Sequence, residues 1–203
     1  MIVGVSSLLI ACNILHLYHN FADSFEMSFF QVSNVITTTG FGFGNTVDWP
    51  LFSQFLLLML MVVGGSAGST AGGLKVIRFL ILARIGKNQI RSTLSPNRVM
   101  TLHVNGTALD KDTQHKILKY FVVYTLIMIS LIAIVSFDSN NFMTVVSAVF
   151  SCFNNIGPMI GTTDTFAIFS PISKLLLSIA MIAGRLEIYP MLLLFMPRTW
   201  SDR

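Results

Sequence analysis

Charge is scarce in this sequence. Only 11% of its 203 residues are Asp, Glu, Lys or Arg, while 53% are apolar, against roughly 25% charged in a typical soluble domain. Mean hydropathy is +0.72. A folded chain of this size still exposes roughly 30% of its unfolded surface, so seventeen Phe and eleven Met cannot all be hidden inside, and a water-soluble globule is excluded. Lipid is the solvent. The net charge of +4 does not argue for nucleic acid, because thirteen Lys and Arg in so apolar a chain mark membrane flanks rather than a phosphate-tracking face. Cysteine is scarce too. Cys12 and Cys152 lie in apolar stretches and offer neither a disulfide framework nor metal-ligand spacing, so both are expected as core thiols. His16 and His19 stand at i, i+3 without a carboxylate or Cys at ligand spacing. No nucleophile has base partners, so neither an enzyme nor a covalent cofactor is expected.

What is present is a set of apolar windows. A transmembrane helix needs about 20 mostly apolar residues, and four windows qualify: 2–18, 51–84, 117–137 and 172–195. The first has no charged flank or cleavage signal of the secretory kind. The second is too long for one straight span and contains ten consecutive small residues at 64–73, GGSAGSTAGG. Between the spans of each pair lie two shorter apolar segments, 24–37 and 141–154, which read as re-entrant helices. Asp23 followed by Glu26 fits a capping box for the first. Asp138 and Ser139 precede the second.

The expected fold is therefore an all-α integral membrane protein of two tandem repeats, each a span, a re-entrant helix, a glycine-bearing turn and a span, with the second span of the first repeat broken by the glycine-rich run. Residues 1–86 form the first repeat, 87–116 a basic connection and 117–203 the second repeat. Gly40 and Gly157 hold the same place in each copy, 117 residues apart. Repeats of this kind place a transport site at their interface. Nine Lys and Arg, from Lys75 to Lys119, fall in the central connection and none between 20 and 50. The positive-inside rule then puts the connection and the C-terminus in the cytoplasm and the turns towards the outside. Asp23, Glu26, Asp48, Asp138 and Asp164 share that outer side, where they either attract cations or serve as caps and solvated loops.

Irregular backbone at membrane depth survives only where protein buries it or water lines it. The run Thr38, Thr39, Gly40, Phe41, Gly42 resembles the TVGYG filter, whose carbonyls replace the hydration shell of potassium. Its glycines permit backbone that a Cβ forbids. The second copy, Asn155, Ile156, Gly157, Pro158, would also serve as an ordinary Gly-Pro turn, and only its position suggests a filter. In the small-residue run, Gly64, Gly68 and Gly72 recur every fourth residue and could pack helices. A phosphate loop is excluded because Lys75 follows Leu74 and no Ser or Thr comes next. Five glycines at about 1 kcal/mol each favour a flexible break. Arg185, mid-span and two residues from Glu187, needs a cavity or partner on another helix.

TTTGFG at 37–42, GGSAGSTAGGLKVIR at 64–78, NNIGPMIG at 154–161 and GRLEI at 184–188 together resemble the Trk/Ktr/HKT superfamily of potassium transporters, and within it the bacterial TrkH-like transmembrane subunit. The resemblance implies four repeats, of which this chain looks like the third and fourth, and one filter glycine in each, here Gly40 and Gly157. It further implies a gating loop containing Gly64, Gly65, Gly68, Ser69, Thr70, Gly72 and Gly73, with Arg185 facing it across the pore. Potassium, or sodium, is the implied substrate, bound at the filter residues. The bacterial cytoplasmic membrane is the implied location. A homodimer and a ring of cytosolic nucleotide-binding regulatory subunits are the implied partners, and the first and second repeats of the same subunit are missing from this chain. Met159 departs from the family, which places a second glycine after the Pro. The opposing reading is a non-conducting membrane scaffold whose glycines only pack helices. It accounts for Gly64, Gly68 and Gly72 but not for an outer Thr/Gly run answered by Gly157.

Overall fold

A computed structural model describes residues 1–94 apart from His19, Phe43, Asn45, Ala67 and Thr70. It also describes the backbone of His103, Val104, Thr107 and Ala108, and residues 110–186. Thr70 of the expected gate, Glu187, the middle of the basic connection and the end of the fourth expected span lie outside these residues.

The described chain is helical. In order come α1 (Ile2–Ile14), continued by a 3-10 turn over Leu15–Leu17, then α2 (Phe21–Thr37) and α3 (Leu51–Val62). Two short strands, β1 (Val63–Gly64) and β2 (Leu74–Lys75), lead into α4 (Val76–Leu94). A second pair, β3 (His103–Val104) and β4 (Thr107–Ala108), precedes α5 (Lys111–Val135), α6 (Phe142–Phe153) and α7, described over Pro171–Leu186. Among the described residues only α5 is both long and apolar enough to cross a membrane alone. The window 51–84 is not one span. Gly64 and Gly65 stop α3 after 12 residues, and a new helix starts at Val76.

Local signals set the helix ends. α2 begins at Phe21, not Ser24: Asn20 is its N-cap residue, in extended backbone, and Asp23 lies within the first turn. The expected Asp23–Glu26 capping box is therefore absent. Ser24 instead turns its hydroxyl back to the Asn20 carbonyl at 3.2 Å. Asn141 caps α6, accepting from the Met143 N–H at 3.1 Å, as its preference for that position leads one to expect. Pro171 starts α7, where its missing N–H is no loss.

Two large cores form, one in each half, beside a small cluster of Ile77, Ile81, Ile85 and Ile117. Ile10, Val32 and Leu57 of α1, α2 and α3 meet in the first. Tyr124, Phe153 and Leu177 of α5, α6 and α7 meet in the second. α6 joins the halves, since Val146 packs into the first core while Val145 and Val149 pack into the second. Cys152 is buried here as expected, but Cys12 is exposed, because α1 turns Ile10, Ala11 and Ile14 inward. The outer faces remain apolar: Leu126 and Ile129 on α5 and Ile172 and Leu175 on α7 are all exposed, which suits a lipid solvent.

Candidate ion-conduction site

The irregular segments after α2 and α6 have the same backbone course. α2 ends when Thr38 enters the left-handed region at φ 53°, its N–H bonding the Val35 carbonyl at 3.2 Å. Asn155 does the same after α6, at φ 56°, its N–H bonding the Cys152 carbonyl at 3.1 Å. In the next residue the Thr39 N–H reaches the Asn34 carbonyl at 3.1 Å, as Ile156 N–H reaches that of Ser151 at 2.9 Å. Positive φ then recurs at Gly40 (86°) and Gly44 (74°), and at Gly157 (115°) and Gly161 (69°). Each residue in the first set is answered 117 positions later. The second conformationally demanding glycine of the first turn is thus Gly44, whereas Gly42 has ordinary backbone.

The two turns touch. A Cβ on Gly40 would lie 2.6 Å from the Ile156 carbonyl oxygen, and one on Gly157 would lie 3.2 Å from Gly40 Cα. Any side chain at Gly40 would therefore be both strained and crowded. Thr37 and Thr39 share a hydroxyl hydrogen bond of 2.6 Å. Phe41 points its ring outward, 65% exposed.

Buried polar side chains hold these turns from behind. The Asn34 carboxamide accepts from the Phe41 N–H at 2.9 Å and donates to the Phe41 carbonyl at 2.6 Å. Ser151 accepts from the Gly157 N–H at 3.1 Å, and Ser147 accepts from that of Ile160. The loops that follow the two turns are tied together as well. Gln54 donates to the Trp49 carbonyl at 2.9 Å, and Thr46 Oγ1 accepts from the Gly161 N–H at 3.2 Å. Sequence reasoning missed these residues. Asn34 carried one usable signal, a polar side chain among Val32, Val35 and Ile36 at the same offset from Gly40 as Ser151 from Gly157.

The glycine-rich run leaves the helical path altogether. β1 and β2 pair in parallel, Val63 with Leu74 and Gly64 with Lys75, which closes a neck beneath the loop. Val76 N–H adds a bond to the Gly65 carbonyl at 3.2 Å. The loop then meets the second turn. A Cβ on Gly72 would run into the Asn154 carbonyl oxygen, and one on Gly73 would lie 3.3 Å from Asn154 Oδ1. Asn154 is fully buried and accepts from the Tyr124 hydroxyl at 2.6 Å. Lys75, read from the sequence only as a topological charge, donates to the Ser69 carbonyl at 2.6 Å and the Ala71 carbonyl at 2.5 Å. Arg185 lies exposed on the last described turn of α7. Among the described residues no hydrogen bond joins it to the loop it was expected to face, and within that loop the Ser69 and Ala71 carbonyls are taken by Lys75. The neighbouring turn of α7 does meet the end of α6, since Asn155 Nδ2 donates to the Met181 carbonyl at 3.0 Å.

Two of the acids expected on the outer side act as structural ties. Asp164 accepts from the hydroxyls of Thr144 at 2.7 Å and Thr162 at 3.1 Å. Asp138 accepts from the Ser170 N–H at 2.9 Å. The Ser173 hydroxyl and the Ser170 N–H and hydroxyl hold its pKa below the ordinary carboxylate value.

Apolar outer helix faces, two helices that end in like left-handed turns and a glycine loop against the second turn fit a helical membrane protein of the ion-transport class. The chain belongs to the TrkH family of cation transport proteins, which it matches over residues 15–202; these are transporters, not enzymes. It is 36% identical over 209 residues to the Trk system potassium uptake protein TrkH of Salmonella typhimurium (strain LT2), covering all of this chain and 43% of that protein. The figures for the protein of the same name from Escherichia coli (strain K12) are equal. The crystal structure of the potassium transporter TrkH from Vibrio parahaemolyticus superposes with a TM-score of 0.90 at 33% identity, covering 98% of this chain and 43% of that one. The chain thus spans 43% of the length of these relatives.

Proposed function

We propose that the chain forms two of the four walls of a potassium uptake pathway across the bacterial cytoplasmic membrane, as the third and fourth repeats of a Trk-type subunit. The meeting of two like-shaped turns at Gly40 and Gly157 carries this reading. Here α2 and α6 are pore helices. Thr38, Thr39, Gly40, Phe41 and Gly42 supply one side of the filter and Asn155, Ile156, Gly157 and Pro158 another, with backbone carbonyls replacing the hydration shell of the ion. The C-terminal end of each pore helix adds partial negative charge, favourable to a cation by about 0.3–1 kcal/mol when exposed.

The loop containing Gly64, Gly65, Gly68, Ser69, Thr70, Gly72 and Gly73 is the gate below the filter, with Arg185 as a positive charge on the same path. Residues 1–86 and 117–203 are the two repeats. The connection 87–116 and the C-terminus face the cytoplasm, and the filter turns face outward. The relatives named as potassium uptake proteins support potassium as the substrate. A filter needs about four converging strands, so two further repeats complete the path. A second copy and a nucleotide-binding regulator are carried by family likeness alone.

The test is growth at limiting potassium of an uptake-deficient bacterium expressing the complete subunit, meaning this chain together with whatever coding sequence precedes it. Growth should be restored, and Gly40→Ser should lower the preference for potassium over sodium. Unrestored growth with folded protein in the membrane would favour the scaffold reading.

A further inference from the structure

Inside the first turn one side chain does something the backbone cannot do alone. A filter works by directing carbonyls at an ion, and a peptide unit rotates readily unless one of its polar groups is held. Asn34 holds two consecutive units, the Gly40–Phe41 unit by its N–H and the Phe41–Gly42 unit by its carbonyl. Its Oδ1 accepts from the Phe41 N–H and its Nδ2 donates to the Phe41 carbonyl, an assignment fixed by chemistry because Phe41 offers one donor and one acceptor. The same residue caps the turn with its own carbonyl, which accepts from Thr39 N–H. Asn34 is 5% exposed, so water competes little for these bonds. The neighbouring turn has a weaker version at the matching position, where Ser151 accepts from Gly157 N–H and donates to no carbonyl of its turn among the described residues.

We propose that Asn34 is a specificity-setting positioning residue, whose side-chain amide clamps both polar groups of Phe41 and so keeps the Phe41 carbonyl bonded to protein instead of to the passing ion. The inference rests on the filter reading above. If it holds, the Phe41 carbonyl alone is withdrawn from the ligands that this turn offers, Phe41 serving the filter as the clamped point of the turn, and the two turns of the chain are unequal at the level of Phe41. The amide fixes which carbonyls can turn towards the ion, so its loss affects how well ions are told apart more than how fast they pass.

The complete subunit should be assayed by uptake kinetics with Asn34→Asp, Asn34→Ala and Asn34→Ser, alongside Gly40→Ser. Asn34→Asp keeps the shape and the acceptor for Phe41 N–H but removes the donor to its carbonyl. In both Asn34→Asp and Asn34→Ala the KM for potassium should rise, and the preference over sodium fall, by about three- to tenfold, the range that one net hydrogen bond supports. Maximal rate and folded yield should stay within about twofold, since the amide acts on ion binding. Asn34→Ser, which mirrors Ser151, should fall between. Unchanged KM and preference in Asn34→Asp and Asn34→Ala, while Gly40→Ser has lost preference, overturns the role of Asn34 and leaves the filter reading standing. If Gly40→Ser also keeps full preference, the filter reading fails first. Loss of folded protein in all three Asn34 variants would make the residue a fold anchor and overturn the inference as well.

Discussion

Glycines in one loop need not matter for the same reason. Gly68 has open space around its Cα but adopts φ +82°, so Gly68→Ala meets only backbone strain, about 1–2 kcal/mol. Gly72 has no left-handed φ, yet a methyl there would run into the Asn154 carbonyl. Gly72→Ala should therefore push the loop away from the second turn, at about 1–3 kcal/mol for overpacking. Flux measured against folded fraction in the complete subunit separates the two effects. Gly72→Ala is expected to raise flux without changing ion preference, and Gly68→Ala to change it less. Equal effects would show that helix propensity governs the loop. Pattern alone foresaw that glycine was needed at 64–73, because five glycines do not sustain a helix. It could not foresee which glycine touches Asn154, since that contact joins positions more than eighty residues apart.

At the scale of elements, the helix starts illustrate how far local chemistry reaches. The start of α6 was placed correctly from the length of the apolar run after Asp138 and Ser139, although the residue that caps it is Asn141. That of α2 was misplaced by three residues, because Asp23 and Glu26 imitate a capping box whereas Asn20 adopts the extended cap backbone without a side-chain bond. Lys75 was misjudged for a related reason: a flank lysine and a lysine folded back on its own loop have the same sequence. Two charge-assisted bonds to Ser69 and Ala71 carbonyls contribute about 1.5–3 kcal/mol each. Lys75→Met should therefore loosen the loop and raise flux at unchanged ion preference, with Arg185→Gln acting in the same direction through loss of a repelling charge. Unaltered flux in Lys75→Met, at matched folded protein, would show that the loop is held by its glycine contacts.

Asp138 acts between elements, joining the end of α5 to the start of α7. A carboxylate whose pKa is depressed on folding stabilises the fold above its unfolded value, and that contribution fades as pH falls through the folded value. The tie should persist at neutral and mildly acidic pH and weaken only below the ordinary value of 3.8. Melting temperatures of the wild type and Asp138→Ala should differ at pH 7 and converge in that acid range. A difference that vanished already near pH 6 would assign the effect to another group.

At the scale of the whole molecule, the described chain has two main cores joined through α6 and many large apolar side chains exposed on its outer faces. Composition alone led to those apolar faces, since a chain with 11% charge has too little polar surface to cover itself. The parallel neck has a mechanical consequence. Because Val63 pairs with Leu74 and Gly64 with Lys75, the end of α3 and the start of α4 are pinned together whatever the nine residues 65–73 do. As the proposed gate, the loop would swing without any helix tilting, lengthening or sliding in the bilayer. Channels that gate by helix tilt feel the thickness of the membrane, because tilt and hydrophobic mismatch are coupled. A pathway gated by this loop, as proposed above, should not. Reconstituted into bilayers of lipids with progressively longer acyl chains, the complete subunit should keep a constant open fraction until mismatch begins to unfold it, and a smooth dependence of open fraction on chain length would mean that the neck parts during opening.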